Sequence, residues 1–251
     1  MSLTLFHFVG IVVIGFLQGF LNTVAGGGSL LVLPALTFLG MDLAVANGTN
    51  RVAILLQSIS GAASFKKQKA LSLKVALPLA AASTAGAVVG TLLAVKVDKR
   101  TLNLVIATLI SIMALLLVFK PRMWEGNQER KWPKWAVYAV FFAVGIYGGF
   151  IQAGVGFFFS WALALAAGMD LVAGNAVKTI IIGSYTTISL ILFFMNGLVD
   201  LPVGLVLALG SAGGAVLGAK FTVAKGTKWV RWVLATVVVI SAVKMFLDAL
   251  A

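Results

Sequence analysis

Residues 15–51 read GFLQGFLNTVAGGGSLLVLPALTFLGMDLAVANGTNR, and residues 145–179 read GIYGGFIQAGVGFFFSWALALAAGMDLVAGNAVKT. The four residues that begin at Gly40 are identical to the four that begin at Gly168, 128 residues later. The same offset pairs Gly26 with Gly154, Gly28 with Gly156 and Asn47 with Asn175. Because the register holds through glycines and polar residues alike, without a gap, the sequence predicts an internal duplication.

The composition predicts an all-α polytopic membrane protein. Hydrophobic residues make up 61% of the chain and charged residues only 10%, with a mean hydropathy of +1.09, which leaves too little polar surface for a soluble globule. The apolar runs are continuous, as in membrane helices, whereas barrel strands alternate. We read the first run as a retained helix and not as a signal peptide, since no basic residue precedes it and no cleavage site follows.

Ten apolar segments follow from the glycines, prolines and charges that bound them. They are Thr4 to Thr23, Ser29 to Leu39, Val45 to Phe65, Leu73 to Val95, Thr101 to Phe119, Trp135 to Gln152, Phe157 to Ala167, Ala173 to Met195, Leu201 to Phe221 and Trp229 to Leu247. The predicted organisation is a first transmembrane repeat (1–119), a basic linker (120–134) and a second transmembrane repeat (135–251).

The loop charges predict two inverted five-segment repeats, each beginning with a broken or re-entrant helical hairpin. If the first two segments of each half return to the side where they started, 13 lysines and arginines lie on one side and 4 on the other. A parallel arrangement gives only 10 against 7. The inverted count places the linker in the cytoplasm and both termini outside. The short segments, about 16 Å long as helices, cannot span a core of about 30 Å, so we expect their glycine tips to lie inside the protein.

The glycine tips are candidate anion sites, because a helix break exposes backbone amides and glycine allows a ligand to approach them closely. The candidate residues are Gly26, Gly27, Gly28 and Ser29 in the first half, and Gly154 and Gly156 in the second. Close packing of helices is the alternative explanation for these glycines.

Arg51 and Lys178 are the candidate cations, since each lies about two turns inside an apolar segment that has no carboxylate of its own. A bound anion would provide the missing partner. The alternatives are that their side chains reach the headgroups, or that they pair with Asp42 and Asp170. For these two aspartates, at the start of the segments after the hairpins, helix capping is the expected role.

Neutral polar residues near the breaks could donate hydrogen bonds to an oxyanion, although hydrogen bonding between helices explains any one of them equally well. They are Asn22, Asn47, Thr49, Asn50, Gln57, Gln152, Asn175 and Thr179. With no cysteine and one histidine, the sequence predicts neither a metal site nor a cofactor. It offers no set of catalytic groups, so an enzyme is not expected. The net charge of +12 reflects loop charge and indicates contact with membrane lipid rather than nucleic acid.

The first half carries AGGGS at residues 25–29, then Pro34 and Gly40-Met41, and the second half carries a G-x-G tip and GMDL-x3-N. These motifs, with the SAGGAVLGAKFTVAKGTKWVRW stretch at 211–232, resemble the TauE/SafE (DUF81) family of sulfite and organosulfonate exporters over essentially the whole chain. The resemblance implies a transporter of small sulfur-containing anions in a bacterial or archaeal inner membrane. Together with the two repeats, it predicts a secondary transporter that exports sulfite or an organosulfonate by alternating access. Uptake of a sulfur oxyanion or small carboxylate, an anion channel, and a non-transporting membrane assembly protein stay open as alternatives.

Overall fold

The computed structural model of the chain describes residues 5–96 and 132–250, and this part is entirely helical apart from turns. Its helices are α1 (Leu5–Val24), α2 (Ser29–Phe38), α3 (Leu43–Lys67), α4 (Leu73–Ala94), α5 (Lys134–Phe150), α6 (Val155–Leu165), α7 (Leu171–Met195) and α8 (Leu201–Leu250). The segment predicted at 101–119 and most of the predicted linker lie outside the described residues. By length and apolar composition, four of the helices could cross a membrane, namely His7–Val24, Leu73–Ala94, Leu171–Met195 and Leu201–Gly226. The all-α polytopic prediction is confirmed.

Most of the predicted segments match these helices to within about two residues. The last two predicted segments lie along α8, which Gly226 divides into two helices because its φ of 71° is not helical. The predicted caps are confirmed, because the Asp42 carboxylate accepts the backbone N–H of Ala44 and the Asp170 carboxylate accepts those of Val172 and Ala173. An acceptor at this position satisfies amide groups that have no partner within the helix.

Glycines bring α1 against α8 and α5 against α4, with backbone touching backbone. A Cβ added to Gly19 would overlap the backbone of Ser211, and one added to Gly145 would overlap that of Ser83. Successive residues of α1 meet successive residues of α8, so these two helices run parallel; α5 and α4 do the same. Small residues of this kind allow membrane helices to pack closely where little else drives their association.

The corresponding helices of the two halves, α3 and α7, cross in antiparallel fashion. Gly61 of α3 lies against Thr179, while Gly48, more than three turns earlier, lies against Phe193. Ser58 meets Gly183 between these two contacts. Antiparallel packing of corresponding helices is the geometry that the predicted inverted repeat requires. The side of the membrane that each end faces stays a prediction.

The gapless offset of 128 residues is wrong for the first helix and hairpin of each half. Gly19 meets Ser211 in the same way that Gly145 meets Ser83, so α1 and α5 correspond at an offset of 126, while α4 and α8 correspond at 128. The difference arises because α6 and the turn after it are together two residues longer than α2 and its turn. Gly28, the residue before α2, therefore corresponds to Gly154, the residue before α6.

The two hairpin tips meet in the interior, as expected from the sequence. A Cβ on Gly26 would overlap the backbone of Gly156, and a Cβ on Gly156 would overlap that of Gly26. Both residues are buried, and Gly26 has a φ of 106°, which L side chains rarely adopt. The contact between the tips therefore depends on the absence of side chains at both positions.

Lysines gather at one end of the bundle. Lys66, Lys67, Lys69 and Lys74 lie at or beside the connection between α3 and α4. This end packs against α8 through a cluster that contains Phe65 and Ala219, next to Lys220. Lys96 follows the far end of α4. The described residues thus form one strongly basic end, to which five of the lysines counted on one side of the predicted topology belong.

We expect Gly156→Ala to destabilise the folded protein by about 1–3 kcal/mol, because the added methyl group must push the tips apart. Gly174→Ala is the matched control: that residue is also a helical glycine in the second half, and a Cβ there would meet only Leu163, at an ordinary 3.6 Å. Unfolding of the purified protein in detergent measures both effects. Equal stability of the two variants would contradict the packed tips.

Candidate functional site

The polar candidates predicted from the sequence are all buried in the structure. None is more than 6% exposed, and Asn47, Asn50 and Arg51 have no exposed surface. The set is Asn22, Ser29, Asn47, Thr49, Asn50, Arg51, Gln57, Gln152, Asn175, Lys178 and Thr179. The alternative in which Arg51 and Lys178 extend to the headgroups is therefore wrong. Both donate hydrogen bonds to groups other than Asp42 and Asp170, which act as helix caps.

A cluster of neutral side chains lies along the first hairpin. The Asn22 amide donates to Gln57 Oε1 at 3.2 Å, and its oxygen accepts the backbone N–H of Gly28 at 2.7 Å. Gln18 donates to Asn50 Oδ1, and Ser211 donates to Gln57 Oε1 at 3.1 Å. Ser29 accepts long bonds, of 3.4 and 3.5 Å, from Asn22 and Gln18. Asn22 thus satisfies an amide at the start of α2 that would otherwise be available to a ligand.

Arg51 binds the carbonyl end of α5. Its Nη2 donates to the Gly149 carbonyl at 2.7 Å, and its Nη1 donates to the Gly148 carbonyl at 3.3 Å and to Gln152 Oε1 at 3.1 Å. The guanidinium also lies 4.5 Å from the centre of the Phe193 ring. A helix end that carries unpaired carbonyls is electronegative, so this position stabilises a buried cation without a carboxylate.

All four of the last carbonyls of α5 have partners. The Tyr147 carbonyl accepts the backbone N–H of Ile151, Arg51 binds the next two carbonyls, and the Phe150 carbonyl accepts the Asn47 amide at 2.9 Å. Thr91 adds a second bond to Gly149 at 3.1 Å. These are the groups that a helix cannot satisfy internally. Arg51 and Asn47 therefore have a sufficient structural role at the break in α5.

Lys178 has a different environment, beside the meeting tips. Its ammonium group donates to Asn175 Oδ1 at 2.6 Å and to Ser160 Oγ at 3.2 Å, and both partners are neutral. Ser160 in turn donates to the carbonyl of Gly156, the glycine that touches Gly26. Lys178 thus lies about one turn from the start of α6, where the helix dipole is positive. Among the described residues, no carboxylate forms an ion pair with this buried cation.

Asn47 and Asn175 bind the broken helices in equivalent ways. Asn47 donates to the carbonyl of Phe150, the last residue of α5, and Asn175 donates at 2.7 Å to the carbonyl of Val24, the last residue of α1. Each asparagine thereby joins its own half to the broken helix of the other half. Asn175 also accepts the hydrogen bond from Lys178, so a chain of two hydrogen bonds links the cation to the end of α1.

Arg51 and Lys178 belong to separate hydrogen-bonded clusters. They share no hydrogen-bond partner among the described residues, and they lie on opposite sides of the place where α3 crosses α7. Of the neutral candidates, Gln152 belongs with Arg51, and Asn175 belongs with Lys178. Thr179 donates to the carbonyl of Asn175 in its own helix. Thr49, nearly two turns inside α3, accepts the backbone N–H of Asp200.

The sequence interpretation missed Gln18, Ser160 and Tyr185. Gln18 had a usable signal, because it is a polar residue one helical turn before Asn22 in an otherwise apolar run. Ser160 and Tyr185 gave no such signal. Their roles, as a partner of Lys178 and as the acceptor of a 2.9 Å bond from Gln152, depend on contacts between helices.

An open cavity of about 430 Å³ lies between α1 and α2, away from the polar clusters. Its lining is mostly apolar and includes Ile11, Ile14, Pro34 and Phe38, with His7 at one edge. Phe38 is 93% exposed, so we regard this cavity as a crevice on the apolar surface and not as the site of the polar chemistry. The polar clusters are closed to solvent in this conformation, so a ligand could reach them only after the helices move.

Comparison with known proteins gives matches over nearly the full length of the chain. ORF9 of Sinorhizobium sp, which is named a probable membrane transporter protein, is 32% identical to this chain over 247 residues. The match covers 97% of this chain and 94% of the relative. YfcA of Escherichia coli strain K12, also named a probable membrane transporter protein, is 28% identical and covers 94% of this chain and 88% of the relative. No solved structure is significantly similar to the chain. The family described as sulfite exporter TauE/SafE matches residues 11–245, so this multi-pass membrane protein belongs to the TauE/SafE family of transporters.

Proposed function

We propose that the protein is a secondary transporter that exports sulfite or an organosulfonate by alternating access, and that it is not an enzyme. The observation that carries this proposal is the buried ammonium group of Lys178, which has only neutral partners and lies next to the positive end of α6. An uncompensated buried charge is costly, and a small anion would compensate it. Membership of a sulfite exporter family favours a sulfur oxyanion as that ligand.

The proposed substrate site is centred on the meeting tips. Lys178 supplies the charge, and Ser160, Asn175 and Thr179 supply polar groups around it. The tip glycines allow close approach to backbone amides. The wider polar path comprises Gly26, Gly27, Gly28, Ser29, Asn22, Asn50 and Gln57 along the first hairpin, with Gly154 and Gly156 along the second. Arg51, Asn47 and Gln152 belong to the path as the groups that hold the end of α5.

Binding of the anion is coupled to the first hairpin through Asn175. An anion that binds the Lys178 ammonium group competes with Asn175 Oδ1 for the hydrogen bond that this group donates. Asn175 also holds the carbonyl of Val24 at the end of α1, so a change at the cation alters the bond that fixes this helix end. A ligand can shift a conformational equilibrium only through contacts that differ between the two states, and this exchange of partners supplies such a difference.

Alternating access then consists of movement of one repeat, 1–119, against the other, 135–251, around the tips. The repeats are joined by the linker at 120–134. With a negative cell interior, export of each net negative charge gains about 2.3 kcal/mol per 100 mV, so export needs no coupling ion. The complete burial of the polar clusters fits a closed carrier conformation better than an open channel.

We infer that the basic end of the bundle faces the cytoplasm of a cell with an inner membrane, and that both termini lie outside, because lysines and arginines are enriched in cytoplasmic loops. The chain has no cysteine, which makes this simple to test. We expect Lys96→Cys to react with an impermeant maleimide on intact cells and Lys67→Cys to react only after the cells are opened. The reverse pattern would contradict the orientation.

The two buried cations should respond differently to loss of charge. Lys178→Gln should abolish the rise in melting temperature that sulfite or methanesulfonate gives to the purified protein, and should reduce uptake into proteoliposomes by about 100-fold, which corresponds to about 2.7 kcal/mol of lost stabilisation. Arg51→Gln should lower the melting temperature without any anion, since removing a partner from buried carbonyls costs about 1–3 kcal/mol for each group. Lys74→Gln removes the same charge from an exposed position and is the control for both variants.

An anion response that is unchanged in Lys178→Gln would contradict the site. Failure of the wild-type protein to bind or move any oxyanion would contradict the transport function itself. Counterflow of unlabelled against labelled sulfite distinguishes a carrier from a channel. An imposed membrane potential of each sign distinguishes export from uptake.

A further inference from the structure

The charges around the proposed site can be counted, and they show how many negative charges the site can compensate. In the described part of the bundle, Arg51 and Lys178 are the two fully buried cations. Asp42, Asp170 and Asp200 lie at the starts of helices, where each accepts a backbone N–H. The charge balance inside the bundle is therefore set by the two cations and by the helix ends beside them.

Arg51 is already occupied. Three hydrogen bonds tie its terminal nitrogens to the electronegative end of α5 and to Gln152, which leaves only Nε without a partner. A ligand that took the terminal nitrogens would leave the carbonyls of Gly148 and Gly149 with fewer donors in a buried region, at a cost of about 1–3 kcal/mol for each group left unsatisfied. The negative end of the α5 dipole, equivalent to about half an elementary charge, thus compensates Arg51 in part.

Lys178 has no such compensation. Its bonds go to the neutral oxygens of Asn175 and Ser160, and no titratable side chain among the described residues is hydrogen-bonded to its ammonium group. A singly charged anion would make this place neutral. A doubly charged anion would leave one negative charge buried without a partner, and the surrounding Asn, Gln, Ser and Thr groups can solvate that charge only in part.

We propose that the site selects singly charged oxyanions, such as hydrogen sulfite and alkanesulfonates, over dianions such as sulfite, sulfate and disulfonates. This inference rests on the proposed function and names its substrate class. It depends on one uncompensated cation being available, so the selection comes from net charge and not from the shape of the sulfonate group. Singly charged carboxylates of similar size are then also ligands, at an affinity set by their hydrogen bonding.

The test uses the wild-type protein in proteoliposomes with methanesulfonate and methanedisulfonate, which share the sulfonate group and differ in charge. We expect methanesulfonate to compete with labelled sulfite at a concentration at least about tenfold lower than methanedisulfonate. Acidifying the medium from mildly alkaline to mildly acidic should increase transport from a fixed total of sulfite, because the fraction of hydrogen sulfite rises. This increase should exceed any change in the transport of methanesulfonate, whose charge is constant in this range and which therefore reports any titration of the protein.

Equal competition by the disulfonate, or sulfite transport that falls on acidification while methanesulfonate transport stays constant, would overturn the charge selection and leave the transport function intact. Absence of transport of every anion would overturn the transport function instead. Lys178→Arg keeps the charge and should keep the preference for the monoanion at reduced activity. Loss of that preference in an active Lys178→Arg protein would show that the geometry of the lysine, and not its charge, determines the selection.

Discussion

A helix that breaks inside an apolar bundle leaves backbone groups without partners, and the interior of this protein is arranged around that constraint. The four terminal carbonyls of α5 are satisfied by Ile151, Arg51 and Asn47, with Thr91 as an additional donor. An unsatisfied carbonyl in a region without water would cost several kcal/mol. The first buried cation of the chain is thus explained by the broken helix that it binds.

The other broken helix is held more weakly, and this asymmetry is where we place the function. The carbonyl of Val24 at the end of α1 accepts a hydrogen bond from Asn175, and Asn175 also accepts a hydrogen bond from Lys178. The two halves contain corresponding helices, yet Asn50 in one half corresponds to Lys178 in the other, and Arg51 corresponds to Thr179. In the proposed mechanism, these unlike polar residues allow one half to fix its partner helix and the other to respond to a ligand.

Much of this arrangement was accessible from the sequence. The helix bounds, the caps at Asp42 and Asp170, the contact between the tips and the burial of the polar candidates all follow from hydropathy, capping chemistry and the repeat. These properties are local, or they follow from the duplication. The expectation that both cations would face one anion is not reflected in the hydrogen bonds, which place Arg51 and Lys178 in separate clusters.

The features that the sequence could not reveal depend on contacts between distant segments. Arg51 meets Gly149 across 98 residues, and nothing near either residue encodes that distance. The sequence comparison did not detect the two extra residues between the start of α6 and the end of the following turn, because glycines align at an offset of 126 as well as at 128. Glycine triplets fit several registers, so identity at the tips was a poor guide to which glycine precedes each short helix.

Hydrogen exchange at the tip of the first hairpin, residues 21–29, tests the central claim most directly. If a bound anion replaces Asn175 as the hydrogen-bond acceptor of Lys178, saturating methanesulfonate should change the exchange protection of these amides in the wild-type protein. The same addition should leave their protection unchanged in Lys178→Gln. The amides at residues 147–151 correspond to those at residues 21–25 and belong to the helix end whose carbonyls Arg51 and Asn47 bind, so they should change less. An unchanged first tip in wild-type protein that demonstrably binds the anion would contradict the account.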